Sequence, residues 1–337
     1  MQALEPEEFL CTAGVAFDVR SPGEYSQGRI PGAINLPLFT NEERAEVGTK
    51  YKQCGKDAAV ELGLGLVGPK LASFVATAKR ECPNTVAKVH CWRGGMRSSS
   101  MAWLLSTAGF KTVTLRGGYK AFRKWVLQKL SQPLNLLVLG GLTGAGKTAI
   151  LHALREKGEQ ILDLEDLACH RGSAFGVMGQ QPTNEQFENE IAIALQSLDL
   201  SRQIWVEDES RMIGRCKVPD ALFAAMRQQP LVMLERPKSE RVAKLLADYS
   251  QAPRQSLIEA VERLQRRLGG ARSKQIIQLI HENQLPQAVE LLLDYYDAAY
   301  RHSLSRRPSR RTFSASGLTP SACAENLLND RIPVDYS

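Results

Sequence analysis

No two of the seven cysteines form a CxxC pair, and their number is odd. They stand apart at positions 11, 54, 82, 91, 169, 216 and 323. This argues against a disulfide framework and against a zinc ribbon, and favours a reducing compartment. The first ten residues, MQALEPEEFL, are acidic and lack the pattern of a secretory signal. No apolar run approaches the roughly 18 residues a membrane span needs. A cytoplasmic setting without a membrane partner is therefore expected. Internal repeats and long low-complexity segments are also missing. Acidic residues are the scarcer sign, with 36 Asp and Glu against 43 Lys and Arg and a formal charge of +7. The excess is uneven: Arg254–Lys274 holds six basic residues against two acidic ones, and Arg301–Arg311 holds five arginines and no acid. Such clusters suit a polyanion such as RNA. A solvated helix face accounts for the same charge equally well.

What is present suits a globular chain of two domains, with 337 residues, 43% hydrophobic and 23% charged. VAFDVR at residues 15–20 reads as a buried strand entering a polar turn. Pro31-Gly32 makes a turn before a short strand over residues 33–36. Residues 86–90 form a strand, residues 98–107 carry apolar side chains at helical spacing, and KTVTL is another strand. RGGYKAF then opens a helix. Alternating strands and helices predict an α/β fold with a parallel sheet. The pattern restarts after Pro133, giving domains over 1–130 and 131–337. Further strands are expected at 160–164, 203–207 and 231–235, and a mostly helical part over about 239–330.

The run Gly141-Leu-Thr143-Gly144-Ala145-Gly146-Lys147-Thr148 fits G-x-x-x-x-G-K-[ST] in full, between an apolar strand and a helix. Glycines let successive N–H groups cradle phosphate oxygens, and the helix N-terminus adds positive potential. Lys147 reaches the terminal phosphate, and Thr148 can hold Mg²⁺. IWVEDE supplies a partner strand, with Asp208 expected to hold the ion through water; Glu207 or Glu209 can take that role instead. The motif specifies a di- or triphosphate and leaves the rest of the ligand open.

Cys91 opens C-x5-R, with His90 before it and Ser98 after it. Arginines and a helix N-terminus both favour a thiolate. Backbone N–H groups around Gly94 and Gly95 would face whatever Cys91 carries, while Arg93 and Arg97 would pair with an oxyanion. Two chemistries fit, a cysteine phosphatase and a rhodanese-type sulfur carrier. A phosphatase also needs a general acid, and no WPD-type segment is visible. FDVRSPGEYSQGRIPGAINLP resembles the first signature of rhodaneses, with Asp18 and Arg20 in its D-x-R element, read as a structural ion pair. RGGYKAF resembles the end of such domains.

The pairing of this bowl with a phosphate loop is uncommon. Together with GAINLPLFTNEERAEVGTKYKQCG, DLEDLACHRGSAFG, WVEDESRMIG and LLDYYDAAYRHSL, it resembles the tRNA 2-selenouridine synthase family over most of the chain. The resemblance implies a rhodanese-like domain followed by a P-loop NTPase-like domain with a helical C-terminal part. It implies a transferase that S-geranylates wobble 2-thiouridine with geranyl diphosphate and then installs selenium from selenophosphate. Arg93 and Arg97 would hold the phosphate of selenophosphate, and Cys91 would either carry selenium or position its donor. The phosphate loop would hold the diphosphate, with Mg²⁺ at Thr148 and Asp208. His170, Arg171 and Ser173 would contact diphosphate or tRNA, or form a structural loop; Glu209, Ser210 and Arg211 would line the phosphate site. Trp92 is open to base stacking, and Trp103 is expected in the core. The implied partners are the anticodon region of tRNA and a supply of selenophosphate, with no DNA. A sulfurtransferase or cysteine phosphatase fused to a small-molecule kinase is the competing reading. An RNA-binding adaptor with a nucleotide switch is a third.

Overall fold

The computed structural model describes residues 2–83, 86–170, 180–249, 253–304 and 310–330. The chain divides into two compact units, the first running to Lys129 and including Glu188–Ile193, the second comprising the rest.

In the first unit the elements follow as β1 (Gln2–Leu4), α1 (Pro6–Cys11), β2 (Val15–Asp18), α2 (Pro22–Gln27), β3 (Ile34–Asn35), α3 (Asn41–Val67), α4 (Leu71–Glu81), β4 (Ala87–His90), α5 (Met96–Thr107), β5 (Thr112–Leu115) and α6 (Gly118–Leu130). The strands make one sheet in the order β1-β5-β4-β2-β3, parallel throughout. All four residues of β4 are buried, as expected of a central parallel strand covered on both faces. Phe17, Val89, Met101 and Leu105 join one apolar cluster beneath the sheet. Ser21 and Glu24 close a capping box on α2, and Thr40 and Glu43 do the same for α3, so both helix starts are written in local sequence.

The helix α3 was not foreseen. It bends at Gly55, where φ is 88°. An apolar run longer than expected also lies here: by length and composition only, an 18-residue window within Asn41–Glu81 is apolar enough to cross a membrane. A 3₁₀ turn at Gly68–Lys70 breaks that stretch between α3 and α4.

The second unit holds β6 (Leu136–Gly141), α7 (Lys147–Glu156), β7 (Gln160–Leu162), α8 (Leu164–Leu167), α9 (Asn184–Gln196, shared with the first unit), β8 (Ile204–Glu207), β9 (Met212–Ile213), β10 (Cys216–Lys217), α10 (Asp220–Gln228), β11 (Leu231–Glu235), α11 (Lys238–Tyr249), α12 (Arg254–Leu268), α13 (Gly270–His281), α14 (Leu285–Leu304), β12 (Arg310–Ser314) and α15 (Pro320–Asn329). The main sheet runs β12-β11-β6-β8-β7 and is parallel. The strand β6 is buried along its whole length at the centre, so the loop after it emerges at the carboxyl edge, where α/β sheets bind ligands.

Strand β12 is an addition to the mostly helical C-terminal part that was expected. Its register pairs Leu231 with Arg310 and Glu235 with Ser314. Arginines there read as a charged helix face, yet an edge strand tolerates charge that a central one does not. Helices α12, α13 and α14 bury their apolar faces in a cluster of their own around Val261, Ile276 and Leu292.

Candidate functional site

In the first unit β4 delivers Cys91 to a loop that ends at the start of α5. Loop residues Trp92, Arg93, Gly95 and Met96 are exposed, while Cys91 itself is buried, at 3% exposure. Its Sγ lies 3.2 Å from the Ser98 hydroxyl. Burial opposes ionisation of this thiol. The Ser98 hydroxyl, the backbone N–H groups of Arg93 and Ser98, and the Arg97 charge outweigh it, so the thiol sits below its ordinary pKa. Two buried cysteines of the second unit, Cys216 and Cys323, are shifted the other way, chiefly by burial.

Two expected details differ. Arg97 is turned toward Glu24, with Nη1 3.2 Å from Oε2, so an oxyanion would have to share or displace that carboxylate. Gly94 serves close packing. Its φ is +65°, and a Cβ there would meet the Leu115 carbonyl at 2.7 Å. Gly118, which the sequence did not single out, matters as much: a Cβ on it would lie 2.4 Å from both the Cys91 carbonyl oxygen and the Gly94 nitrogen. This contact lets α6 donate Tyr119 N–H to Cys91 O and Lys120 N–H to Trp92 O, at 2.8 and 2.9 Å.

Asp18 and Arg20 form a fully buried ion pair, with Nε 2.9 Å from Oδ1. The guanidinium also lies 3.7 Å from the Tyr119 ring centroid and donates to the Gly28 carbonyl. The pair is scaffolding, as its residue types suggested. Trp92 packs against Tyr119 and remains 36% exposed. Trp103, expected in the core, is 64% exposed. Met101 and Leu105 take the buried face of α5 and leave Trp103 outside it.

In the second unit Gly144 sits at φ +81° with Arg241 backbone and side chain 3.1–3.2 Å from where a Cβ would be. Only glycine lets α11 close on the loop there. The Lys147 ammonium donates to the Gly141 carbonyl at 3.1 Å. Thr148 Oγ1 donates to Glu165 Oε2 at 3.3 Å. Carboxylate oxygens of Glu165, Glu207 and Glu209 lie within 4.8 Å of one another. Burial, with Glu165 adding to it and Lys147 and Thr148 opposing, raises the Glu207 pKa to about 7. Burial and then Glu207 and Glu165 push Glu209 well above the ordinary range.

Asp208 does not join this group. Side chains alternate along an extended strand, so Glu207 and Glu209 share one face and Asp208 takes the other. There Asp208 accepts the Tyr300 hydroxyl at 2.9 Å and lies 3.8 Å from Arg227. The Tyr300 hydroxyl in turn accepts the Gly141 N–H at 3.3 Å, and burial pushes its pKa up to about 12. Expected as a metal ligand, Asp208 instead braces the loop through Tyr300. Ser210 and Arg211 also face elsewhere: Ser210 donates to the Met212 carbonyl, and Arg211 pairs with Asp220 and stacks near Phe223. His170 is buried, with its pKa lowered by burial, and its N–H donates to Glu165 O. It borders the acids through backbone alone. Arg171 and Ser173 lie outside the described residues.

Sequence reasoning missed Glu165, Tyr300, Arg241 and Asp297. Glu165 had a faint signal, three acids in four residues at Asp163–Asp166 directly after a strand. The other three come from helices far along the chain, and only the fold brings them to the loop.

A cysteine loop on one parallel sheet and a glycine-rich G-x-x-x-x-G-K-T loop on another mark a chain built from a rhodanese-like and a P-loop module. The family description "Rhodanese-like domain" matches residues 7–124, and "tRNA 2-selenouridine synthase AAA domain" matches residues 134–327. Curated proteins named tRNA 2-selenouridine synthase are similar along most of their length. The Pseudomonas syringae pv. tomato protein is 37% identical, covering 89% of this chain and 91% of its own. The Sulfurovum sp. protein is 38% identical, covering 88% and 90%. Among solved structures, the N-terminal domain of a putative ATP/GTP binding protein from Clostridium difficile 630 is 43% identical, covering 37% of this chain and 99% of that one, with a TM-score of 0.36. The chain is an enzyme that belongs to the tRNA 2-selenouridine synthase family.

Proposed function

We propose that this enzyme turns wobble 2-thiouridine of tRNA into 2-selenouridine by two transfers. First, the thiocarbonyl sulfur attacks C1 of geranyl diphosphate. An S–C bond forms, the C–O bond to diphosphate breaks, and the base loses its N3 proton. Second, selenium from selenophosphate adds at C2 and the geranyl thiol departs. Water then takes the phosphoryl group, releasing orthophosphate, and N3 regains a proton. Alkylation explains why two anion sites are needed, because a thiocarbonyl sulfur leaves poorly and a thiol leaves well. The observation that carries this reading is the presence in one chain of the Cys91 loop, with Sγ 3.2 Å from the Ser98 hydroxyl, and of a phosphate loop whose Lys147 lies on the Gly141 carbonyl and whose Thr148 lies on Glu165.

The phosphate loop and Lys147 would bind the diphosphate and stabilise it as it leaves. Mg²⁺ fits the oxygen donors beside Thr148: three crowded carboxylates, two of them driven toward protonation, form a set that a divalent cation would relieve. Thr148, Glu165, Glu207 and Glu209 would hold it, and when bound it would supply positive charge to the leaving diphosphate. Cys91 would act at the selenium step, with Arg93 and Arg97 facing the phosphate of selenophosphate. The tRNA would be held by its anticodon region.

Mass spectrometry of tRNA nucleosides tests this. Cys91→Ser should accumulate the geranylated nucleoside and lose the selenated one, whereas Lys147→Ala should lose both. Equal loss of both products in both variants would overturn separate sites. Turnover of thiosulfate with cyanide, or of an aryl phosphate, without action on thiolated tRNA would instead favour the fused sulfurtransferase or phosphatase.

A further inference from the structure

The hairpin of α12 and α13 carries a charge surplus that neither its own packing nor the phosphate site uses. Leu257, Val261, Leu264 and Leu268 of α12 and Ile276 and Ile280 of α13 point into the helical cluster. That fixes the opposite faces outward. Arg263, Arg266 and Arg267 near the end of α12 are all exposed, as are Arg272 and Lys274 near the start of α13. The turn between them is Gly269-Gly270, where no atom outside the immediate backbone lies within 4 Å of a notional Cβ. Exposed Glu259 and Glu262 lie one turn before Arg263 and Arg266 on α12, and no acid follows along the chain until Glu282. Among the described residues no ion pair engages any of the five cations, whereas Lys238 and Arg241 of α11 pair with Asp294 and Asp297 of α14. Helix pairs that need charge only for solubility intersperse the signs along their faces. Five cations gathered around one open turn are the arrangement that meets a row of phosphates.

We propose that the α12–α13 tip is a docking surface for the RNA sugar-phosphate backbone, gripping tRNA away from the reacting base. This rests on the reading that tRNA is the substrate. Contacts of this kind position a nucleic acid without reading its sequence, which suits arginine and lysine on a surface with no exposed large aromatic.

The test uses the full chain and unmodified tRNA transcript, with binding measured across a salt series. The variant is Arg266→Gln, Arg267→Gln, Arg272→Gln and Lys274→Gln together. Its Kd should rise at least about tenfold at 0.1 M salt, and the slope of log K against log salt should shrink by about 2 to 3, as expected for three or four lost phosphate contacts. The thermal melt should not move, since all four side chains are exposed, and a variant in which these positions exchange Arg and Lys should keep the parent slope. A quadruple Gln variant that binds with parental affinity and slope overturns the proposal while leaving the substrate reading intact. A parent chain that fails to bind tRNA overturns both. Loss of binding to vesicles rich in phosphatidylserine, with tRNA binding unchanged, would assign the surface to a membrane and overturn it too.

Discussion

Arg241 and Asp297 form a bidentate pair across α11 and α14, with Nη1 2.9 Å from Oδ1 and Nη2 2.7 Å from Oδ2. Both side chains are nearly inaccessible, and Nη1 also donates to the Thr143 carbonyl at 3.0 Å. The helical region is thereby bolted to the phosphate loop through one guanidinium.

Removing one partner of such a pair costs more than removing both. Asp297→Ala should destabilise the second unit by about 3–5 kcal/mol, because it strands a buried charge. The pair Arg241→Met with Asp297→Leu should lose less stability, yet it should also lose diphosphate affinity, because Thr143 is released. Denaturant unfolding and calorimetric titration with inorganic diphosphate separate the two effects.

Ser98→Ala should raise the pKa of the Cys91 thiol. The hydroxyl contact at 3.2 Å is the largest influence that lowers it. The rate of iodoacetamide alkylation against pH, followed at Cys91 by peptide mass spectrometry, should shift its midpoint upward. An unchanged midpoint would show that the loop backbone and Arg97 hold the thiolate alone.

Gly118→Ala should damage the cysteine loop selectively. The new methyl would overlap the Cys91 carbonyl and the Gly94 nitrogen, and φ at this position is +62°. A loss of more than about 1 kcal/mol is expected in the first unit. Diphosphate binding at the second unit should stay at the parental level, which titration of the same preparation would show.

The acids beside Thr148 predict a pH dependence with a definite sign. Glu207 has a folded pKa near 7, raised from its ordinary 4.5. The folded state therefore holds more protons than the unfolded state between these values. Its contribution to stability is fully present below about 4.5 and is lost as pH rises through about 7. Thermal melts without divalent cation should drop across that window, and Glu207→Gln should flatten the drop. Added Mg²⁺ should stabilise the parent most at pH 8, where no proton competes for the site.

The parts of this molecule that were legible in its sequence are those whose physics is local. The phosphate loop is one backbone device in a single run, and Cys91, Ser98 and Arg97 fit within eight residues. Strand β4 and helix α5 announced themselves by apolar spacing. What stayed hidden depended on direction or on distance along the chain. Asp208 was chosen over its neighbours although side chains alternate along a strand, and one step of that alternation brings Glu207 and Glu209, and not Asp208, beside Glu165. Trp103 was read as lying on the apolar side of its helix, but Met101 and Leu105 take the buried face of α5 and leave it outside. Strand β12 sits in an arginine run and pairs with a strand some eighty positions earlier, which no window of sequence displays.

That last pairing governs how the protein can be made. Ribosomal synthesis releases β6 and the phosphate loop long before β12 and α15 emerge. Until they do, the outer row of backbone groups on β11 has no partner, and Leu137, Leu139 and Ile150 lack the cover of Cys323, Ala324 and Leu327. A nascent chain halted after α14 would hold the loop Gly141–Thr148 in full at the centre of its sheet while β11 stood beside it as an open edge, a liability for aggregation.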